Sequence, residues 1–227
     1  MTVTRVAPRR KWPWITAAIA IIAALIVAAF VVGTSQGNTV TPNAGPSGSH
    51  TARPASQSDP EPNGCLGGSP RTAATVLTAQ RLAPHTSNGS VEVAAAFTRW
   101  IQRFPYPSAS EAATVSARVL ATKSFTDDLS KYLAAAPDLS GGIVAKGTTY
   151  YMSTIPGVWN VESTSADKVV ASIGTGFVIN GELSTTLRSS ITVTLEWQSS
   201  KWKIADAVGQ RTTEDLYSIG KAFTKGC

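Results

Sequence analysis

The 227-residue chain is 43% hydrophobic and 15% charged, enough apolar material for one domain with accessory segments. Its net charge of +6 is unevenly held: Arg5, Arg9, Arg10 and Lys11 precede any acid, whereas the stretch from Cys65 to Cys227 carries 15 Lys and Arg against 12 Asp and Glu. The basic excess is mostly an N-terminal cluster rather than a binding face, which argues against a nucleic-acid partner.

Residues 14–32 read WITAAIAIIAALIVAAFVV, with no charge, Pro or Gly. As a helix this run measures about 29 Å, matching a hydrocarbon core of about 30 Å. It has no polar stripe, so a soluble amphipathic helix is a poor fit. It also exceeds the apolar part of a cleaved signal peptide, about 7–15 residues. The expectation is an uncleaved transmembrane helix at 14–32 in the cell membrane. Residues 1–13 would be the cytoplasmic tail, and the chain after Gly33 would lie outside. Residues 33–64 are mostly Gly, Ser, Thr, Pro, Asn and Ala. They bury too little to offset their ordering entropy and are expected to form a disordered linker with a root-mean-square span of about 30 Å. His50 within it has no partners for a metal site.

Residues 65–227 are the predicted extracytoplasmic domain. Cys65 and Cys227 are the chain's two cysteines and bracket it. Outside the cytoplasm a disulfide bond persists. Zinc spacing is absent, and a cysteine nucleophile at Cys227 would lack a positioned base. A bridge between the two is expected, with an intermolecular pair as the alternative.

Within the domain, Thr72–Ala83 reads either as a short helix or as an extended arm. The next segment, SVEVAAAFTRWIQRF, places Val93, Phe97, Trp100, Ile101 and Phe104 at helical spacing behind a Ser90 cap, and Pro105 and Pro107 end it. Ser108 with Glu111 forms a capping box for a helix whose stripe is Ala112, Val115 and Val119. In FTDDLSKYLAAAP, Asp127 and Asp128 fit the first turn of a third helix. Adjacent carboxylates on a helix point different ways, so this pair makes a poor acid–base site.

After Gly141-Gly142 the pattern becomes β. GTTYYMSTI, a turn at Pro156-Gly157 and VWNVES come first; VVASIGTGFVI follows a turn at 166–168. Gly174 and Gly176 predict a bend or bulge. Asn180-Gly181 is a strong hairpin signal. The return strand aligns Ile191, Val193, Leu195 and Trp197 on one face, and WKIADAV follows a turn at 198–201. A last helix near Thr213 carries Leu216, Ile219 and Phe223. Helices followed by a meander predict an α+β domain with helices on one face of an antiparallel sheet.

The stretch LEWQSSKWKIADAVG resembles the closing hairpin of nuclear-transport-factor-two-like domains: an apolar strand, a turn, then Trp-x-Ile and an acid. The order of helices before sheet is also similar, over about residues 90–210. The resemblance implies a curved sheet of the cystatin and nuclear-transport-factor-two-like kind. The layout of tail, span, linker and external domain resembles tethered scaffold subunits of type IV secretion and conjugation machines in Gram-positive, actinobacterial cells. It implies a non-enzymatic scaffold whose partners are the membrane and other membrane or cell-envelope proteins, and it is compatible with a homo-oligomer.

Two alternatives stand beside it. One is an extracytoplasmic sensor or small-ligand-binding domain. The other is an isomerase-like enzyme using Asp206, which alternation would place on one face with Trp202, Ile204 and Val208. No phosphate loop, Ser-His-Asp order or metal spacing occurs, so no cofactor is expected. Tyr150, Tyr151 and Trp159 are the aromatics expected at the surface, and hence at a partner interface.

Overall fold

The Ala94–Ala95–Ala96 run lets neighbouring elements approach one helix closely, and that helix becomes the axis of the domain. In the computed structural model, which describes residues 59–135, 138–208 and 211–227, α2 (Ser87–Ile101) is buried from Gly89 onward. Residues 1–13, the predicted span at 14–32 and most of the predicted linker lie outside the described residues. Among the described residues no helix is long and apolar enough to cross a membrane.

Thr86, not Ser90, caps α2: its hydroxyl accepts from Gly89 N, and Ser90 is a buried interior residue. Asn88 and Gly89, poor helix formers, hide this first turn from the sequence pattern. Gly89 is required there, because a side chain would collide with the Pro84 carbonyl. Thr72–Ala83 resolves into a helix, α1 (Ala73–Leu82), capped by Thr72. Helix α3 (Ala109–Val119) has the expected capping box, and Ala112, Val115 and Val119 are its buried stripe. Helix α4 (Leu129–Ala135) starts after both predicted first-turn acids. Asp128 serves as its cap, accepting from Lys131 N at 3.0 Å.

The antiparallel sheet is curled and runs β1-β2-β3-β4-β5, from β1 (Arg103–Phe104) through β2 (Tyr150–Thr164), β3 (Lys168–Ile179) and β4 (Glu182–Gln198) to β5 (Lys201–Val208). Phe104, expected on the α2 stripe, instead opens the sheet opposite Tyr150. The hairpin at Asn180-Gly181 forms with positive φ at both residues. Pro156-Gly157 does not end a strand. Residues 154–157 bulge out of β2 opposite Thr175 alone, and pairing resumes at Val158↔Gly174. The bulge reaches the chain's end: Thr154 N donates to the Cys227 carbonyl, and Cys227 N donates to Thr154 Oγ1.

The main core joins α1–α4 to one sheet face through Phe97, Trp100, Ile173, Val193, Leu195, Trp202 and Ile204. Helix α5 (Thr213–Ile219) departs from the expectation of helices on one face only. Its Leu216 packs over Gly174, the residue beside core-facing Ile173, and so covers the opposite face. The helix stops at Gly220, leaving Ile219 exposed, while Phe223 is buried after β6 (Lys221–Ala222), which pairs with β2.

Candidate functional site

The two cysteines form the Cys65–Cys227 disulfide, with Cα atoms 5.5 Å apart across 162 positions. Polar residues two turns apart on α2 organise the chain around it. Glu92, 7% exposed, accepts backbone N–H bonds from Asn63, Gly64 and Leu66. Burial raises its pKa, and those amides together with the Arg99 charge oppose the rise. Arg99, 1% exposed, donates to the Gly68 carbonyl at 3.0 Å and to Cys227 Sγ. Burial and then the neighbouring Arg71 charge pull its guanidinium down to about 10. Arg71 lies 3.8 Å over the Tyr151 ring and donates to the Met152 carbonyl.

The predicted linker boundary at Gly64 shifts upstream. Residues 59–64 pack on the domain: Thr86 Oγ1 donates to Asp59, Thr224 N donates to Pro62 O, and Gly226 N donates to Asn63 O. Composition made this stretch look like tether because most of its anchors, at Pro62, Asn63 and Gly64, are backbone groups, to which composition is blind.

Asp206 is not on the core face. Ile204 O and Ala205 O, on consecutive residues, accept from Ala121 N and Phe125 N. Successive strand carbonyls normally alternate sides, so this is a bulge, and the ladder steps from Leu195↔Ile204 to Thr194↔Asp206. Ala207 takes the inward place opposite Val193, and Val208 is exposed. Asp206 Oδ1 accepts from Ala207 N. The alternation that put an acid among Trp202 and Ile204 is broken.

The aromatics expected at the surface are inside. Tyr150 is 3% and Trp159 6% exposed, and Tyr151 is half-buried under Arg71. Trp159 pairs with Ile173 and joins the main core; Tyr150 packs with Met152 and Phe177 in a smaller one. Two of the exposed apolar side chains lie at the β2 bulge and the β3–β4 hairpin. Ile155 and Leu183 are exposed, with Pro156 and Leu183 both close to Gly176. Beside them Arg188 sits 4.4 Å over the Tyr217 ring, and the Tyr217 hydroxyl donates to Pro156 O. No sequence signal marked this patch, because it joins residues about 30 positions apart through the β2–β3–β4 register.

His85, in the loop between α1 and α2, stacks on Trp197 with centroids 4.0 Å apart, 3.1 Å from Asp167. Other carboxylates are engaged: Glu111 with Arg103 and the α3 cap, Glu162 with Arg211 and Ser172. Among the described residues no group of three or more His, Cys, Asp and Glu could hold a metal ion. No family model, curated protein or solved structure matches the chain.

Proposed function

We propose that the chain is a membrane-anchored extracytoplasmic scaffold that works through protein contacts, as a structural component of a conjugation or secretion apparatus. One observation carries this reading: both ends of the domain are fastened at one pole by the Cys65–Cys227 disulfide. A domain held there by its upstream tether is attached at a single point and leaves its remaining surface free for partners. The Ile155–Pro156–Leu183 patch is the apolar part of that surface on which this reading places a contact.

The reading is tested in cells that depend on the chain for transfer or secretion. A protease added to intact cells should cleave within residues 65–227 after reduction. Asp206→Asn should restore activity to a deletion strain, whereas Ile155→Asp with Leu183→Asp should not, although the double variant is folded and displayed. Loss of activity in folded Asp206→Asn would replace the scaffold by an enzyme, and full activity in the double variant would remove the contact surface.

A further inference from the structure

A second feature is independent of the scaffold reading. Basic residues from three elements converge on one cleft: Arg81 in the last turn of α1, Arg118 in the last turn of α3, and Lys201 and Lys203 on β5. The cleft measures about 450 Å³, and no acid lines it. Its volume falls within the range of small-molecule sites, about 300–1,000 Å³. Arg81, Arg118 and Lys201 are exposed and Lys203 is half-buried, so an incoming ligand meets all four. Buried Gln80 holds the walls together: its amide donates to the Arg118 and Trp202 carbonyls at 3.1 and 2.8 Å. Lys203 Nζ donates to the same Arg118 carbonyl and keeps further N–H groups for a ligand.

The fold does not neutralise this charge. The ends of α1 and α3 each carry the equivalent of about half a negative charge, which offsets about one of the four cations. Glu196 stands opposite Lys203 in the β4–β5 register, but it accepts from the Gln198 amide. Among the described residues none of the four cations forms an ion pair. Burial and then the Lys201 charge lower the Lys203 pKa, as expected where no anion stands nearby. The concentration is local: without these four, the stretch from Cys65 to Cys227 carries 11 basic residues against 12 acidic ones. A nucleic-acid strand would need a basic stripe running beyond the cleft. The occupant is therefore a small anion. More than one positive charge remains for it, which favours a doubly charged group over a lone carboxylate. Two guanidiniums, each a planar fork of donors, match the oxygens of a phosphate.

We propose that this cleft binds a small phosphate ester, whose phosphate oxygens accept from the Arg81 and Arg118 guanidiniums while Lys201 and Lys203 balance the remaining charge.

Glycerol 3-phosphate is the probe, and lysine acetylation is the readout. The full chain in phosphatidylcholine nanodiscs is pulsed with acetic anhydride at increasing probe concentration, and the labelled lysines are quantified by mass spectrometry. Lys201 and Lys203 should be protected saturably, whereas exposed Lys131 and Lys225, which lie outside the cleft, should label at a constant rate. Arg81→Gln and Arg118→Gln should each raise the half-protecting concentration about tenfold, as expected for the loss of one charge-assisted hydrogen bond. Malonate, a dianion without phosphate, should need a concentration about tenfold higher than the probe in the wild type. Equal protection of Lys131 and Lys225, an unchanged half-protecting concentration in both variants, or equal protection by malonate would each overturn the proposal. A free ester and a lipid headgroup share this chemistry, and a second arm separates them once the probe has protected the pair. In nanodiscs containing phosphatidylglycerol and no added probe, protection of Lys201 and Lys203 that Arg81→Gln lessens assigns the site to a lipid headgroup. Unprotected labelling there assigns it to a soluble ester.

Discussion

Removing the disulfide should cost this domain much of its stability, and the size of the loss follows from the chain. The bridge spans 162 positions. The chain-entropy relation for a loop of that length gives about 5 kcal/mol, against a total of about 5–15 kcal/mol for an ordinary domain. The effect should lie mainly in the unfolded state, because the folded ends are held by other bonds. Cys227 exchanges two hydrogen bonds with Thr154, Ser153 Oγ also donates to its carbonyl, and Asn63 and Pro62 accept from Gly226 and Thr224. Urea unfolding of the full chain in detergent, followed by the fluorescence of buried Trp100 and Trp202, tests this. Cys65→Ala/Cys227→Ala and the reduced wild type should unfold together, at a midpoint lower by about 2 M if the slope is about 2–3 kcal/mol per molar urea. The slope should rise slightly as the unfolded chain expands. Reduced and oxidised midpoints within about 0.3 M of each other would show that the ends do not behave as a free loop on unfolding, and the entropic account would fail.

Two further outcomes are expected. Hydrogen bonding to the Arg211 guanidinium, supported by Ser172, holds the Glu162 carboxyl at about 2 rather than its ordinary 4.5. Its folded value lies below its unfolded one, so this contribution is present above pH 4.5 and disappears as pH falls towards 2. The pair is partly exposed, and screening limits its worth to about 1 kcal/mol; Glu162→Gln should flatten the acid limb of a stability–pH curve by that amount, and an unaltered limb would contradict it. At Gly174 an added Cβ would lie 2.7 Å from Val158 and 2.9 Å from Tyr217. Gly174→Ala should therefore lower stability by about 1–3 kcal/mol and loosen α5, read as lost protection of Leu216 in hydrogen exchange.

Features set by neighbours in the chain were legible beforehand. The Ser108–Glu111 box, the Asn180-Gly181 hairpin and the Val193–Leu195 alternation each follow from interactions within a few residues, and each stands where its pattern placed it. The Cys65–Cys227 pair was legible for another reason: two cysteines leave only one intramolecular pairing. The departures share a cause. At residues 154–157 the strand leaves its ladder, and the C-terminus bonds to Thr154 there, 73 positions away. At Ala205 the outer edge of β5 is occupied by the segment after α3, whose Ala121 and Phe125 amides draw two successive carbonyls to the same side. Neither displacement is encoded in the local alternation of apolar and polar residues, so a period of two read through Trp202, Ile204 and Asp206 went one residue too far. Tyr150 shows the same limit in burial. An aromatic beside a glycine-rich loop reads as exposed until Phe104 crosses to pair with it and Val144 folds against it. The chemistry of this domain therefore has to be sought where distant segments converge. Asp206, the one acid placed by alternation among core residues, lost that place to contacts 80 positions away, whereas Tyr150 gained its burial from Phe104, about 45 positions away.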